Sequence, residues 1–203
     1  MFWKNNSKNI KELEYKLLYS DAELSFLNAQ TERELSKLYY NQSTENGILK
    51  SKYQEYQQEV LAISKNTKHS VDEESKLLSK FIDLYAGLSS SEHYHMVDIA
   101  IEDVEAKIPA LLLFPIVQNA MINGYNSMQN FPMKLKLKVK AQQLSLEVSN
   151  RVNHYLSNQA DDPRVKQLES RLFLEYADDY NLFINSNSNL FKITLLIKLK
   201  RDW

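Results

Sequence analysis

The side chains best suited to nucleophilic or metal chemistry are few in this sequence. The four histidines are His69, His93, His95 and His154, and there is no cysteine. Without cysteine, thiolate catalysis and disulfides are excluded. The pair His93 and His95 has no third ligand at the spacing of known metal sites, so we interpret each histidine as a surface residue. The histidines therefore predict neither a nucleophile nor a metal centre.

Glycine sets a second chemical limit. The chain of 203 residues contains only Gly47, Gly87 and Gly124. Glycine-rich loops bind phosphate because a residue without Cβ lets backbone N–H groups approach the ligand closely. Three glycines so far apart predict no phosphate loop of that kind.

Charge and hydropathy exclude further classes of protein. The 25 basic and 26 acidic side chains give a net charge of -1, which provides no overall field to attract nucleic acid or an anionic membrane. The longest apolar run, 108–117, contains two prolines and is shorter than the roughly 20 residues of a membrane span. We expect a soluble protein of one or two domains with no nucleic-acid partner and no membrane span.

One local basic pattern has two explanations. Lys134, Lys136, Lys138 and Lys140 alternate along a predicted strand. They could form a rail for nucleic acid or anionic lipid, or simply the solvated face of a sheet. We favour the solvated face because no aromatic residues lie between the lysines. A group of tyrosines fits either a partner-binding surface or packing within a helical hairpin: Tyr39, Tyr40, Tyr53 and Tyr56.

The N-terminal part has helical periodicity. Residues 9–41 lack proline and glycine and carry apolar side chains at heptad spacing, which predicts one long amphipathic helix with a coiled-coil seam. After a turn at 42–47, a second helix is predicted over 48–63, and Ser70 with Glu73 has the spacing of a capping box that opens a third. Such a seam must be covered, so we predict a homodimer whose interface includes Leu13, Leu17, Leu24, Leu27 and Leu38.

After Ser91 the apolar period changes from 3.6 to 2, which predicts a domain boundary. Helices are expected over 110–127 and 165–176, and strands over 96–101, 133–140, 144–149, 180–184 and 190–200. The predicted fold class is α+β. A helical dimerisation region, 1–90, precedes an α/β sandwich, 91–203, whose helices cover one face of a mixed sheet.

Three segments carry a resemblance to one family. The run 108–124, IPALLLFPIVQNAMING, resembles the N-box of LytS-type sensor histidine kinases, Ile-Pro-Pro-Leu-Leu-Leu-x-Pro-Leu-Val-Glu-Asn-Ala-x-x-His-Gly. Residues 22–30 are similar to the approach to that family's H-box, and 170–176 to its Arg-Arg-Leu-x-x-x-Tyr helix. The resemblance covers roughly 22–199 and implies a phosphotransfer-like hairpin followed by a GHKL, or Bergerat-type, ATPase domain.

The resemblance also shows which functional residues differ. It equates Glu34 with the phosphoacceptor histidine and Gln118 with the activating glutamate of the N-box, and both positions are degenerate. A carboxylate does not replace an imidazole nucleophile, and a neutral amide takes no proton. Asn119 is retained at the family's magnesium ligand, and Asn123 stands at the N-box histidine.

The glycine-rich motifs of the family are replaced as well. Asn150 aligns with the adenine-binding aspartate and Val152 with the first glycine after it, while 162–167 aligns with the second glycine-rich turn. Asp162 would place a negative charge beside any phosphate. Asn119, Asn123 and Asn150 are thus expected to be a vestigial nucleotide pocket, with Asn119 a vestigial magnesium ligand and no cofactor bound.

These departures lead to two hypotheses. The first is a catalytically degenerate, dimeric signalling pseudokinase whose partner is a response regulator or a true kinase, located in the cytoplasm as such or as the cytosolic part of a membrane-anchored sensor. The second is an active histidine kinase or ATPase that retains Mg-ATP binding at a non-standard site around Asn119. A third interpretation, an unrelated α/β domain, stays open.

Overall fold

The computed structural model describes residues 2–41, 47–103, 105–156 and 159–199, with side chains from residue 9 onward. It begins with helices α1 (Phe2–Gln30), α2 (Arg33–Asn41) and α3 (Gly47–Leu61). The predicted turn at 42–47 lies, apart from Gly47, outside the described residues.

The single helix predicted over 9–41 is wrong, because the chain breaks between α1 and α2. The Thr31 hydroxyl donates to the Leu27 carbonyl at 2.7 Å, and the Glu32 carboxylate accepts the Glu34 N–H at 2.9 Å. Glu32 therefore satisfies a free N–H at the start of a new helix, as capping side chains do. The heptad seam ends with α1, and Leu38 lies on α2, partly buried against the core.

Helix α4 (Val71–Leu88) follows strand β1 (Lys68–Ser70), which pairs antiparallel with β3 (Lys107–Pro109). The predicted capping box is confirmed: the Ser70 hydroxyl accepts the Glu73 N–H at 3.2 Å and the Glu73 carboxylate accepts the Ser70 N–H at 2.8 Å. The small β1–β3 sheet was not predicted, since strands of three residues have no measurable periodicity.

A five-stranded mixed sheet forms the second half. Its strands are β2 (His95–Ile101), β4 (Met133–Lys140), β5 (Gln143–Arg151), β6 (Tyr180–Ser186) and β7 (Leu190–Lys198), in the order β2-β4-β5-β7-β6. Strands β2 and β4 are parallel and the other neighbours antiparallel. All five predicted strands are confirmed, with small shifts at their ends.

The helices α4, α5 (Phe114–Asn123) and α6 (Pro163–Tyr176) cover one face of this sheet, which confirms the predicted fold class. Along β4, side chains alternate between buried and exposed, and the four lysines lie on the exposed face. Exposure of the four lysines fits both a solvated face and a ligand-binding face, so the choice between them stays a prediction. The core is continuous from α1 to β7, so residues before and after 91 share it.

The helix predicted over 110–127 is wrong in extent, because α5 covers only Phe114–Asn123. Residues 107–109 form β3, and Leu111 adopts a left-handed backbone with φ 62°. The sequence of an apolar run with Pro109 and Pro115 fits a strand followed by a turn as well as it fits a helix. The pairing of β3 with β1 determines that the residues before Phe114 form a strand and a turn.

The helices α2 and α3 pack through their tyrosines. The rings of Tyr39 and Tyr53 stack with centroids 4.0 Å apart, and the Tyr53 hydroxyl donates to Ser36 Oγ at 3.0 Å. Packing within the hairpin thus accounts for these two side chains, while Tyr40 stays exposed. No helix in the described part of the chain is long and apolar enough to span a membrane.

Candidate functional site

Two residues of the expected pocket meet in the interior, between α5 and the end of β5. Asn119 lies on α5, which begins with Phe114 and Pro115 and presents Asn119 to the sheet, and Asn150 lies near the end of β5. Both side chains are fully buried. Buried amides need hydrogen-bond partners, and a third amide, Gln159, provides them.

Gln159 belongs to a short 3-10 helix, Gln159–Asp161, just before α6. Its Nε2 donates to Asn119 Oδ1 at 2.7 Å and to Asn150 Oδ1 at 3.1 Å. In return, Asn150 Nδ2 donates to Gln159 Oε1 at 3.0 Å, and Asn119 Nδ2 donates to the Gln159 carbonyl at 3.2 Å. We call Asn119, Asn150 and Gln159 the amide cluster. Its members satisfy one another and offer neither a charge nor a proton acceptor strong enough for base catalysis.

Gly124 follows α5 and is held against the amide cluster. A Cβ at this position would lie 2.7 Å from Asn150 Nδ2 and overlap the Ala120 carbonyl. The backbone φ of -76° would suit any residue, so the constraint is space rather than conformation. The retained glycine of the N-box is thus required here by packing.

Asn123, the third expected pocket residue, faces the start of α6. Its Nδ2 donates to Asp162 Oδ2 at 2.5 Å, while Asp162 Oδ1 accepts the Arg164 N–H at 2.9 Å and caps α6. Asp162 is therefore occupied as a helix cap and as the partner of Asn123. The free N–H groups that attract phosphate to helix starts already have a carboxylate beside them.

The two positions that the resemblance equates with catalytic residues, Gln118 and Glu34, lie outside the amide cluster. Gln118 is buried but turned toward α1, where its Nε2 donates to the Ala29 carbonyl at 3.1 Å. Its Oε1 finds no partner among the described residues. Glu34 lies at the start of α2 and pairs with Lys37 at 2.6 Å.

Glu34 and Asp162 nevertheless line the same surface cavity, of about 310 Å³, between the α1–α2 break and α6. Arg164 bridges it with ion pairs to Asp162 at 3.0 Å and to Glu32 at 3.4 Å. Burial raises the pKa of Glu32, and the neighbouring carboxylates of Glu34 and Asp162 act in the same direction. The cavity is lined by three carboxylates, Glu32, Glu34 and Asp162, and by two arginines, Arg33 and Arg164, which does not favour a bound phosphate.

A buried carboxylate, Glu74, fixes the turn that leads into α5. It accepts the N–H of Leu111 at 2.8 Å and of Leu113 at 3.1 Å, and His69 Nδ1 lies 3.3 Å from it. This hydrogen bond raises the pKa of His69, against the opposing effect of burial. This role could not be predicted from the sequence, because Glu74 occupies a core position in an ordinary amphipathic helix.

Arg171 provides a second anchor for the same turn. Its Nη2 donates to the Ala110 carbonyl at 2.7 Å, and the guanidinium carbon lies 5.4 Å from the centre of the Phe26 ring. Arg171 thus joins α1, α6 and the approach to α5. The arginine and tyrosine of the 170–176 motif are both buried and structural.

The predicted dimer-interface leucines divide into two groups. Leu13, Leu17, Leu24 and Leu27 on α1 are exposed, whereas Leu38 packs against the core of its own chain. The opposite side of α1 is buried against α5 and α6 through Ser25, Phe26 and Ala29.

The histidines form no metal centre in the part of the chain that the structure describes, where no group of three potential ligands occurs. His93 packs edge-on against Tyr85, with ring centroids 5.4 Å apart. Burial lowers the pKa of His93, and the nearby His95 lowers it further.

No protein-family model matches this sequence, and no curated protein matches it. Among solved structures, the histidine kinase AdeS of Acinetobacter baumannii is similar, with 8% sequence identity, a TM-score of 0.47, and coverage of 74% of this chain and 75% of that one. The catalytic domain of histidine kinase ThkA has 12% identity and a TM-score of 0.45, covering 65% of this chain and 95% of that chain. ThkA in complex with the response regulator protein TrrA has 11% identity and a TM-score of 0.46, covering 97% and 64%. The solved structures to which this chain is similar thus include histidine kinases and their catalytic domains.

Proposed function

We propose that this chain is a sensor-histidine-kinase homologue of the LytS type that acts as a dimeric interaction module and has lost Mg-ATP binding and phosphotransfer. One observation carries the proposal: the Gln159 side chain fills the space between Asn119 and Asn150, the two positions that the resemblance assigns to magnesium and adenine. A nucleotide bound there would first have to displace Gln159.

The energetic cost of that displacement supports the proposal. Opening the amide cluster would break three hydrogen bonds between the Gln159 side chain and the side chains of Asn119 and Asn150, each worth about 1 kcal/mol net in a protein interior. A nucleotide would recover only part of this, because Asn150 would accept from the adenine amino group with a neutral amide oxygen and not with the carboxylate of the family. Asp162, although paired with Arg164 and Asn123, adds a carboxylate beside the phosphate position, and no glycine-rich turn supplies free N–H groups there.

Dimerisation rests on the two faces of α1. Ser25, Phe26 and Ala29 are buried against α5 and α6, while Leu13, Leu17, Leu24 and Leu27 lie roughly half a helical turn away and are exposed. A helix with one face packed and a heptad stripe free can pair with a second copy without disturbing its own domain. The interface would use the α1 leucines and not Leu38.

The partner class follows from the resemblance, which implies a response regulator or a kinase with an intact site. A module that dimerises and no longer transfers phosphate can still hold such a partner or titrate it from others. We place this activity in the cytoplasm, either for a free protein or for the cytosolic part of a membrane-anchored sensor.

Calorimetry with Mg-ATP tests the loss of nucleotide binding. We expect no binding tighter than about 0.1 mM, which corresponds to roughly -5.5 kcal/mol, and no transfer of radiolabelled phosphate to the chain. The matched control is Asn119→Ala, which removes the retained magnesium ligand. Tighter binding that Asn119→Ala abolishes would overturn the proposal and support an active ATP site around Asn119.

A further inference from the structure

The outer face of the sheet, opposite the helices, contains a groove of about 590 Å³. Its walls come from β4, β5 and β7 and from the loop before β4. The cationic residues in its lining are Lys134, Lys136, Arg151 and Lys192, and the only carboxylate among its lining residues is Glu147. We call this the basic groove.

The charge in the basic groove is only partly compensated. Lys192 pairs with Glu147 at 3.0 Å, which neutralises one of the four cations. Lys134 and Lys136 form no ion pair within the described residues, although Lys136 stands between Asp98 of β2 and Glu147 of β5 in the strand registers. A concentration of positive charge in a chain with net charge -1 is a local feature and favours an anionic ligand.

One end of the basic groove is apolar. Phe131 is 53% exposed and Leu190 is 44% exposed. The guanidinium carbon of Arg151 lies 5.1 Å from the centre of the Phe131 ring, a cation–π arrangement that holds the ring in place. An exposed aromatic ring beside fixed cations is typical of the centre of a binding surface.

We propose that the basic groove is a docking surface for an extended acidic segment of a partner protein, with an apolar side chain of that segment placed against Phe131 and Leu190. Lys134 and Lys136 are two residues apart on one face of β4, a separation of roughly 7 Å. Alternate side chains of an extended peptide have the same spacing, so two carboxylates of one segment can meet both lysines. The inference rests on the proposed function only in that an interaction module needs a surface, because nucleotide binding has no part in it.

Fluorescence anisotropy tests the surface with a labelled peptide of Glu, Asp and Leu as the probe and the full chain as the receptor. We expect saturable binding that weakens about tenfold in the double variant Lys134→Glu with Lys136→Glu. The matched control is Lys138→Glu with Lys140→Glu, which makes the same charge change on the same face of β4 outside the groove and is expected to change affinity less than threefold. All four lysines are exposed, so circular dichroism should show every variant folded.

Two further measurements separate the chemistry of the ligand. Phe131→Ala is expected to weaken peptide binding about fivefold while leaving its salt dependence unchanged, since it removes apolar contact and no charge. A single-stranded oligodeoxynucleotide and inorganic pyrophosphate are expected to bind more weakly than the peptide. Equal losses in the two lysine pairs, tighter binding of either competitor, or no binding of the peptide to the unaltered chain would each overturn the inference. None of these results changes the Mg-ATP measurement, so the two proposals fail separately.

Discussion

Residues 108–124 and 22–30, the latter at the end of α1, resemble the same family in sequence, yet they have opposite surroundings. The first segment is largely buried: Asn119 is hydrogen-bonded to Gln159, Gly124 packs against Asn150, and Glu74 holds the turn before α5. The second is closed on one side only, because the α1 leucines face away from the domain. Apart from Gln118 Oε1, the buried polar side chains of the first region find partners within the chain, whereas the apolar leucines of the second remain exposed.

This difference indicates where the chain can still interact. A site whose hydrogen-bond donors and acceptors are paired internally offers little to a ligand, because every new bond replaces an existing one. Covering an exposed apolar stripe with a second surface removes apolar area from water and so stabilises the complex. Function is therefore expected at the surfaces of this protein and not around the amide cluster in its interior.

The largest effect is expected from changing the exposed leucines of α1. Replacing both Leu24 and Leu27 by glutamate would bury four charges in each dimer, which should cost on the order of 4 kcal/mol and weaken association roughly a thousandfold. Analytical ultracentrifugation should then find monomers of this variant and, as we propose, dimers of the unaltered chain. Both leucines are exposed in the single chain, so its fold should survive.

The control for this change is on the same helix. Tyr15→Glu with Tyr19→Glu also replaces two exposed apolar residues, but at positions outside the heptad stripe, and should leave the dimer intact. A Leu24 and Leu27 variant that stays dimeric, or an unaltered chain that is monomeric, would contradict the placement of the interface.

The sequence predicted the sheet and the helix layer because periodicity reports burial directly, as the alternating lysines of β4 illustrate. The sequence-based prediction was wrong where a single contact determines the end of a helix. The end of α1 depends on a carboxylate, Glu32, that caps the next helix, and the start of α5 depends on the pairing of β3 with a distant strand. Periodicity carries no information on either contact.

The candidate site was predictable in part. Asn119 and Asn150 could be brought together from the resemblance alone. Gln159 could not, because it lies in a loop with no motif and acquires its role only when the 3-10 helix places it between the two asparagines. Glu74 was missed for a similar reason, since its partners are backbone N–H groups of a turn whose shape the sequence did not define.

A smaller effect is expected from adding a side-chain atom at Gly124, within the largely buried segment 108–124. Gly124→Ala would place a Cβ against Asn150 and the Ala120 carbonyl, and should destabilise the fold by about 2 kcal/mol. Urea unfolding measures this. Gly47→Ala is the matched control, because nothing lies within 4 Å of its added Cβ, and its stability should stay within about 0.5 kcal/mol of the unaltered chain. Equal stability of the two variants would mean that the region around Gly124 is looser than its contacts indicate.

The smallest effect is expected from removing the hydrogen bond between His69 and Glu74, the carboxylate that holds the turn before α5. The pKa of His69 is raised by its hydrogen bond to Glu74 and, more weakly, by the charges of Glu74, Glu73 and Glu59, so the folded state binds the proton more tightly than the unfolded state. The stabilisation is fully present below the ordinary pKa of 6.5 and is lost as the pH rises through the higher value of the folded state. His69→Gln should therefore be less stable than the unaltered chain by about 0.5 to 1 kcal/mol near pH 5.5, and this difference should shrink toward pH 8.

Urea unfolding at both pH values checks this, with His154→Gln as the control because His154 is exposed in a loop. The control should show no pH-dependent difference. A stability difference for His69→Gln that is constant, or that grows with pH, would mean that the His69 proton does not strengthen the contact with Glu74. In that case the turn before α5 is held by the two N–H bonds to Glu74 and by Arg171, and its contrast with α1 does not depend on pH.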